Sequence, residues 1–109
     1  MKISELNEDK IGEVLTYLAT TDEKFASAKA QLESTEILRK RVRAKCFLTG
    51  EGTVAERQAE AEVSDETQAA DDAYISALRE FEALKATRQR GDLMIEVWRS
   101  LEASRRRVS

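Results

Sequence analysis

Residues 47–53 read FLTGEGT and interrupt a helix-rich sequence of 109 residues with two glycines, Gly50 and Gly52. On either side Ala, Glu, Leu, Lys, Arg and Gln predominate, and the whole chain has four glycines and no proline. Glycine and proline are the residues that a helix interior tolerates least. The sequence therefore predicts an all-α fold in which a glycine turn at 50–52 joins two helical arms.

The arm before the turn is predicted as one helix from about residue 8 to about residue 49, capped by Ser4 or Asn7. Gly12 and the sequence ATTD at residues 19–22 are the places where this helix could break. Its apolar residues recur every seven positions, which is the spacing of a coiled coil. The series consists of Ile11, Leu18, Phe25 and Leu32.

The arm after the turn is predicted to hold a short helix over about 53–63 and a long helix over about 65–107. Thr53 and Glu56 have the spacing of a capping box, and Ser64 precedes two acidic residues, as at a helix start. The short segment is either a separate helix or the beginning of the long one. Gly91 within the long helix indicates a kink, a close backbone contact or a weak point. Residues 1–109 are interpreted as a single domain.

The charges favour an antiparallel, coiled-coil-like hairpin of the two arms. Residues 1–38 carry a net charge of -4 and residues 39–45 carry +5, whereas residues 51–72 carry -7 and residues 79–107 carry +3. A fold at the glycine turn places each basic block beside an acidic one. Parallel association of two chains would bring several like-charged blocks together instead.

A hairpin of this size buries little apolar surface on its own, so self-association is expected. We predict a homodimer that forms an antiparallel four-helix bundle. Eight side chains, called the seam residues below, are expected in its shared core. They are Leu18, Phe25, Leu32, Tyr74, Leu78, Phe81, Ile95 and Trp98.

Two clusters of positive charge are candidates for binding nucleic acid. The first, called the basic segment, spans residues 39–45 and reads RKRVRAK; the second closes the chain. The alternative is that the basic segment pairs with the acidic residues of the second arm, with Arg39, Arg43 and Cys46 on one helix side and Lys40 and Lys45 elsewhere. The candidate residues are Arg39, Lys40, Arg41, Arg43, Lys45, Arg105, Arg106 and Arg107.

The residue types present argue against an enzyme. Histidine is absent, which removes the usual acid–base group at neutral pH and the commonest metal ligand. Cys46 is the only cysteine, and it is expected to be a half-buried thiol. No cofactor, metal or small-molecule substrate is predicted. No apolar run approaches the length of a membrane span, and we expect a cytoplasmic protein.

Residues 39–107 resemble small all-helical accessory proteins that tailed bacteriophages encode near their recombination and replication genes. The likeness is carried by the Arg/Lys-rich helix end, the Ala-Phe-Leu-like run at 45–48, the turn GTVAER at 52–57 and the segment IEVWRS at 95–100. The resemblance implies an accessory role in the host cytoplasm. The leading hypothesis is thus a non-enzymatic protein–protein interaction module with an unidentified protein partner, and the alternative is an electrostatic nucleic-acid binder.

Overall fold

The computed structural model describes residues 5–108, which form four α-helices and no β-strand. In chain order the helices are α1 (Glu8–Thr20), α2 (Asp22–Thr49), α3 (Val54–Val63) and α4 (Asp65–Val108). The predicted all-α class is confirmed for this part of the chain.

Three of the helices begin at a side chain that caps the first turn. The side-chain oxygens of Asn7, Thr53 and Ser64 each accept a hydrogen bond from the backbone N–H three residues further on, over 2.9, 3.2 and 3.1 Å. Each bond satisfies an amide that has no partner within its own helix. These caps agree with the sequence signals, while Ser4, the alternative cap for α1, lies outside the described residues.

Where the sequence predicts one helix over about 8–49, the structure has two, α1 and α2, separated by Thr21. The backbone of Thr21 has φ -104° and ψ 2°, outside the helical range. Its hydroxyl and its backbone N–H both donate hydrogen bonds to the carbonyl oxygen of Tyr17, over 2.7 and 3.0 Å. The break falls within the ATTD sequence, while Gly12 lies inside the intact helix α1.

The glycine turn separates α2 from α3 and depends on Gly52. This residue has φ +100°, a backbone conformation that side chains with a Cβ rarely adopt. Twelve residues later Ser64 is extended, with φ -64° and ψ 147°, and it divides α3 from α4. The segment that follows the turn is therefore a separate short helix.

The contacts divide the chain into two compact units, and the first comprises residues 5–25 and 83–108 of the described chain. In it α1 packs antiparallel to the second half of α4, with Ile11 and Val14 buried. A Cβ placed on the buried Gly91 would lie 3.2 Å from Val14 Cγ1 and 3.5 Å from Leu18 Cδ2. Of the three roles considered for Gly91, the structure shows a close contact between a helix backbone and its neighbour.

The second unit comprises residues 26–82 and contains most of α2, all of α3 and the first part of α4. Helices α2 and α4 run antiparallel here, since Arg39 contacts Tyr74 and Arg43 contacts Asp71. The buried side chains of this unit are all small: Ala28, Thr35, Ala61, Thr67, Ala70 and Ala77. Small side chains let helix backbones approach closely. That the whole chain is one domain stays a prediction.

Candidate interaction surfaces

Two arginines of the basic segment point into the second unit. Arg43 Nη2 donates a hydrogen bond to Asp71 Oδ2 over 3.1 Å. Its Nε lies 2.8 Å from Glu62 Oε1, as an ion pair without hydrogen-bond alignment. The guanidinium carbon of Arg39 lies 4.3 Å from the centre of the Tyr74 ring, within the range of a cation–π contact. Helix α4 thus supplies a partner for each arginine, and α3 supplies a second partner for Arg43.

Cys46 lies on the same side of α2 as these two arginines, as the helical spacing predicts. Its Sγ is 3.4 Å from Ser64 Oγ and 3.9 Å from Thr67 Oγ1, and the thiol is half-buried. The two hydroxyls hydrogen-bond to each other over 2.8 Å. Thr67 has no exposed surface, so this contact joins α2 to the α3–α4 junction in the interior of the unit.

The other three cations of the basic segment point away from α4. Lys40 Nζ lies 3.5 Å from Glu36 Oε1, and the Lys40 side chain is exposed whereas Glu36 is half-buried. Arg41 and Lys45 are exposed and make no ion pair among the described residues. The basic segment is therefore divided between inward arginines with acidic or aromatic partners and outward cations that remain accessible.

The arginines at the end of α4 belong to the first unit, and all three are exposed. Arg105 Nη1 donates a hydrogen bond to Glu102 Oε1 over 2.7 Å. Its guanidinium carbon also lies 5.6 Å from the centre of the Trp98 ring. Part of this charge is thus already neutralised by its own helix. Binding of nucleic acid by Arg105, Arg106 and Arg107 stays a prediction.

All eight seam residues are half-buried within the single chain, and none belongs to its fully buried core. Four lie in the first unit, namely Leu18, Phe25, Ile95 and Trp98. The other four lie in the second unit, namely Leu32, Tyr74, Leu78 and Phe81. Each unit therefore presents large apolar side chains that its own helices cover only in part.

A groove that the sequence did not predict runs between the last turns of α2 and helix α3. It has a volume of about 670 Å³ and lies within the second unit. Phe47 is half-buried at this place, whereas Leu48 is 74% exposed. Adjacent residues point about 100° apart on a helix, so the Phe47–Leu48 pair signals an exposed apolar side chain but not the groove beside it. The lining residues are Arg43, Ala44, Phe47, Leu48, Gln58, Ala61 and Glu62.

Arg88 is a structurally important residue that the sequence analysis did not predict. Its guanidinium bonds to the carbonyl oxygen of Leu18 over 3.0 Å and to Thr21 Oγ1 and Asp22 Oδ1 over 2.6 Å each. It also lies 5.1 Å from the centre of the Phe25 ring. All these partners flank the α1–α2 break, so Arg88 belongs to the architecture of the first unit.

Residues 5–108 contain no group of three or more acidic, cysteine or histidine side chains placed to hold a metal ion. None of the helices described combines the length and the apolar character that a membrane span needs. The chain matches no protein-family model, no curated protein and no solved structure. Function therefore has to be inferred from the residues and surfaces of the chain itself.

Proposed function

We propose that the chain is a non-enzymatic helical interaction module that acts as a homodimer. The observation that carries the proposal is the partial burial of all eight seam residues. In the second unit no side chain larger than threonine is fully buried, although Leu32, Leu78 and Phe81 lie beside that core. Burial of apolar surface contributes roughly 25 cal/mol per Å², so a second chain that covers these residues would stabilise the fold.

The arrangement proposed for the dimer is an antiparallel four-helix bundle with the seam residues at the contact between chains. A symmetric dimer brings the same surface of both chains together, so each seam residue contributes twice. The charge blocks support antiparallel rather than parallel contact, because parallel helices would bring like charges together.

We also propose that the chain has no catalytic activity, because it lacks the residue types that most enzymes use. The chain has no histidine, and its one cysteine is surrounded by the hydroxyls of Ser64 and Thr67 rather than by a base. A thiol becomes a good nucleophile when a neighbouring base or positive charge favours the thiolate.

We place the partner among the recombination or replication proteins of a phage in the host cytoplasm, on the strength of the resemblance over residues 39–107.

A second candidate function is electrostatic binding of nucleic acid. The specific observation in its favour is the exposure of Arg41 and Lys45, which have no ion pair among the described residues. Against it stands the engagement of Arg39 and Arg43 with α3 and α4. Two exposed cations without an ion pair form a weaker phosphate site than all five cations of the basic segment would.

Sedimentation velocity across the micromolar range tests the dimer. We expect a concentration-dependent dimer that Leu78→Gln weakens by about 10-fold or more, because 1.4 kcal/mol corresponds to a factor of ten. Leu93→Gln is the matched control, since Leu93 is exposed and is not a seam residue. Far-UV circular dichroism establishes that both variants stay folded. A monomer at every concentration would refute the dimer.

A further inference from the structure

We propose that the groove between the end of α2 and α3 binds an acidic amphipathic helix of a partner protein. This inference rests on the proposed function as an interaction module, to which it adds a site and a class of ligand. It concerns only the second unit, and it uses none of the seam residues proposed for the dimer.

The floor of the groove and the adjoining face of α2 form an apolar strip. Leu48 and Ala44 line the groove, and Ile37 continues the same helix face seven residues before Ala44. Leu48 is 74% exposed and Ile37 is 51% exposed, so the chain leaves half or more of each residue uncovered. At 1.5 Å per residue the strip is about 16 Å long, or about three turns of a helical ligand.

The charges beside this strip select the ligand. Arg41 lies on the same face of α2, between Ile37 and Ala44, and Lys45 flanks Leu48. Both are exposed cations without an ion pair among the described residues. On the α3 side, Gln58 and Ala61 are neutral, and Glu62 shares the single positive charge of Arg43 with Asp71. The unpaired positive charge of the rim therefore lies on the α2 side.

An amphipathic helix with an acidic flank along α2 matches both properties of the site. Its apolar side chains, spaced three and four residues apart, would cover Leu48 and Ile37 as in other helix-in-groove complexes. Its carboxylates would meet Arg41 and Lys45 and raise the rate of association. A nucleic-acid backbone would satisfy the two cations but leave the apolar strip in water, so it fits the site less well.

The test uses the full chain and two labelled synthetic peptides. Both peptides carry leucines at the same helical spacing, and the flanking positions are glutamate in one and lysine in the other. We expect fluorescence anisotropy to show that the acidic peptide binds and that the basic one does not. Leu48→Glu should weaken binding of the acidic peptide about 10-fold or more, and Arg41→Glu with Lys45→Glu should weaken it similarly and reduce its salt dependence.

Two variants serve as matched controls on exposed positions outside the groove. Leu93→Glu introduces the same charge as Leu48→Glu, and Arg79→Glu reverses a charge on the exposed face of α4. Both should bind the acidic peptide as the native chain does. Equal binding of the two peptides, unchanged binding by Leu48→Glu, or no binding at low salt would each overturn the proposal.

Further measurements separate this inference from the proposed dimer and from other occupants of the groove. A dimer that binds no peptide would leave the interaction module standing and remove the groove site. A monomer that binds the acidic peptide would retain the groove site and remove the dimer. Dissociation of the dimer by Leu48→Glu would assign the groove to a second copy of this chain, and displacement of the peptide by a DNA oligonucleotide would assign it to phosphate. Either result would overturn the peptide assignment.

Discussion

Arg88 donates a hydrogen bond through Nη1 to the main-chain carbonyl oxygen of Leu18, 70 positions earlier in the sequence, over 3.0 Å. This carbonyl lies in the last turn of α1, where oxygens lose their partners within the helix. A guanidinium at this place supplies the missing donor and a favourable charge for the negative end of the helix dipole. The one-residue break at Thr21 therefore has a stabilising partner on α4.

We expect Arg88→Ala to lower the free energy of unfolding by about 2 kcal/mol, because hydrogen bonds to charged groups contribute about 1.5–3 kcal/mol. The side chain of Arg88 is only 19% exposed. Urea denaturation measures the change, and Arg90→Ala on the exposed side of α4 should stay within about 0.5 kcal/mol of the native chain. Equal stability of the two variants would show that the Leu18 contact does not stabilise the fold.

Gly91→Ala and Gly12→Ala should change stability in opposite directions, although both glycines lie inside helices. Alanine gains about 1 kcal/mol over glycine from helix propensity alone. At Gly12 nothing lies within 4 Å of the added Cβ, so the gain should be seen. At Gly91 the Cβ would lie 3.2 Å from Val14 Cγ1, and the buried, β-branched Val14 has little freedom to move away.

Overpacking of this kind costs about 1–3 kcal/mol, so we expect Gly91→Ala to be destabilising by about 1 kcal/mol after the propensity gain. Thermal melts followed by circular dichroism compare the two variants in one buffer. A higher melting temperature for Gly91→Ala would mean that α1 moves aside at little cost.

Arg43→Ala and Arg41→Ala should have different consequences, because one side chain points inward and the other outward. Arg43→Ala leaves Asp71 and Glu62 without their cation, and the Oδ1 of Asp71 is already buried without a hydrogen bond. We expect a loss of about 1–2 kcal/mol in chemical denaturation, the usual cost of an unsatisfied polar group. Arg41→Ala should leave stability unchanged.

The same pair of variants tests the nucleic-acid alternative. If phosphate binds to the basic segment, Arg41→Ala should weaken DNA binding and reduce the slope of its salt dependence, since one phosphate contact is lost. Fluorescence anisotropy with a labelled oligonucleotide at several salt concentrations provides the measurement. Unchanged binding by Arg41→Ala would remove the basic segment as the DNA site.

Gly52→Ala should destabilise the turn between α2 and α3. A residue with a Cβ at φ +100° is strained, at a cost of roughly 1–2 kcal/mol in the left-handed region. Glu51→Ala is the neighbouring control, because Glu51 is exposed and has a negative φ. Equal denaturation midpoints would indicate that the turn relaxes to another conformation.

The caps and the helix faces could be predicted from the sequence because they depend on residues only a few positions apart. Asn7, Thr53 and Ser64 cap helices through amides three residues away, and the spacing of Arg39, Arg43 and Cys46 puts them on one side of α2. For the break between α1 and α2, the sequence indicated only two possible positions, Gly12 and residues 19–22. The tendency of Thr21 to bond back to Tyr17 is local, but the guanidinium that accompanies the break comes from α4.

Local sequence is enough to specify that the chain is helical, where the glycine turn lies and which cations of the basic segment share a helix side, since helix periodicity and hydrogen bonding act over short separations. Contacts between helices show, in addition, that Gly91 is a contact point, that small residues form the core of the second unit and that Leu48 borders an open groove. Those properties depend on which helix faces meet and how closely. Packing between residues distant in the sequence decides which helix faces meet, and local sequence patterns do not specify that packing.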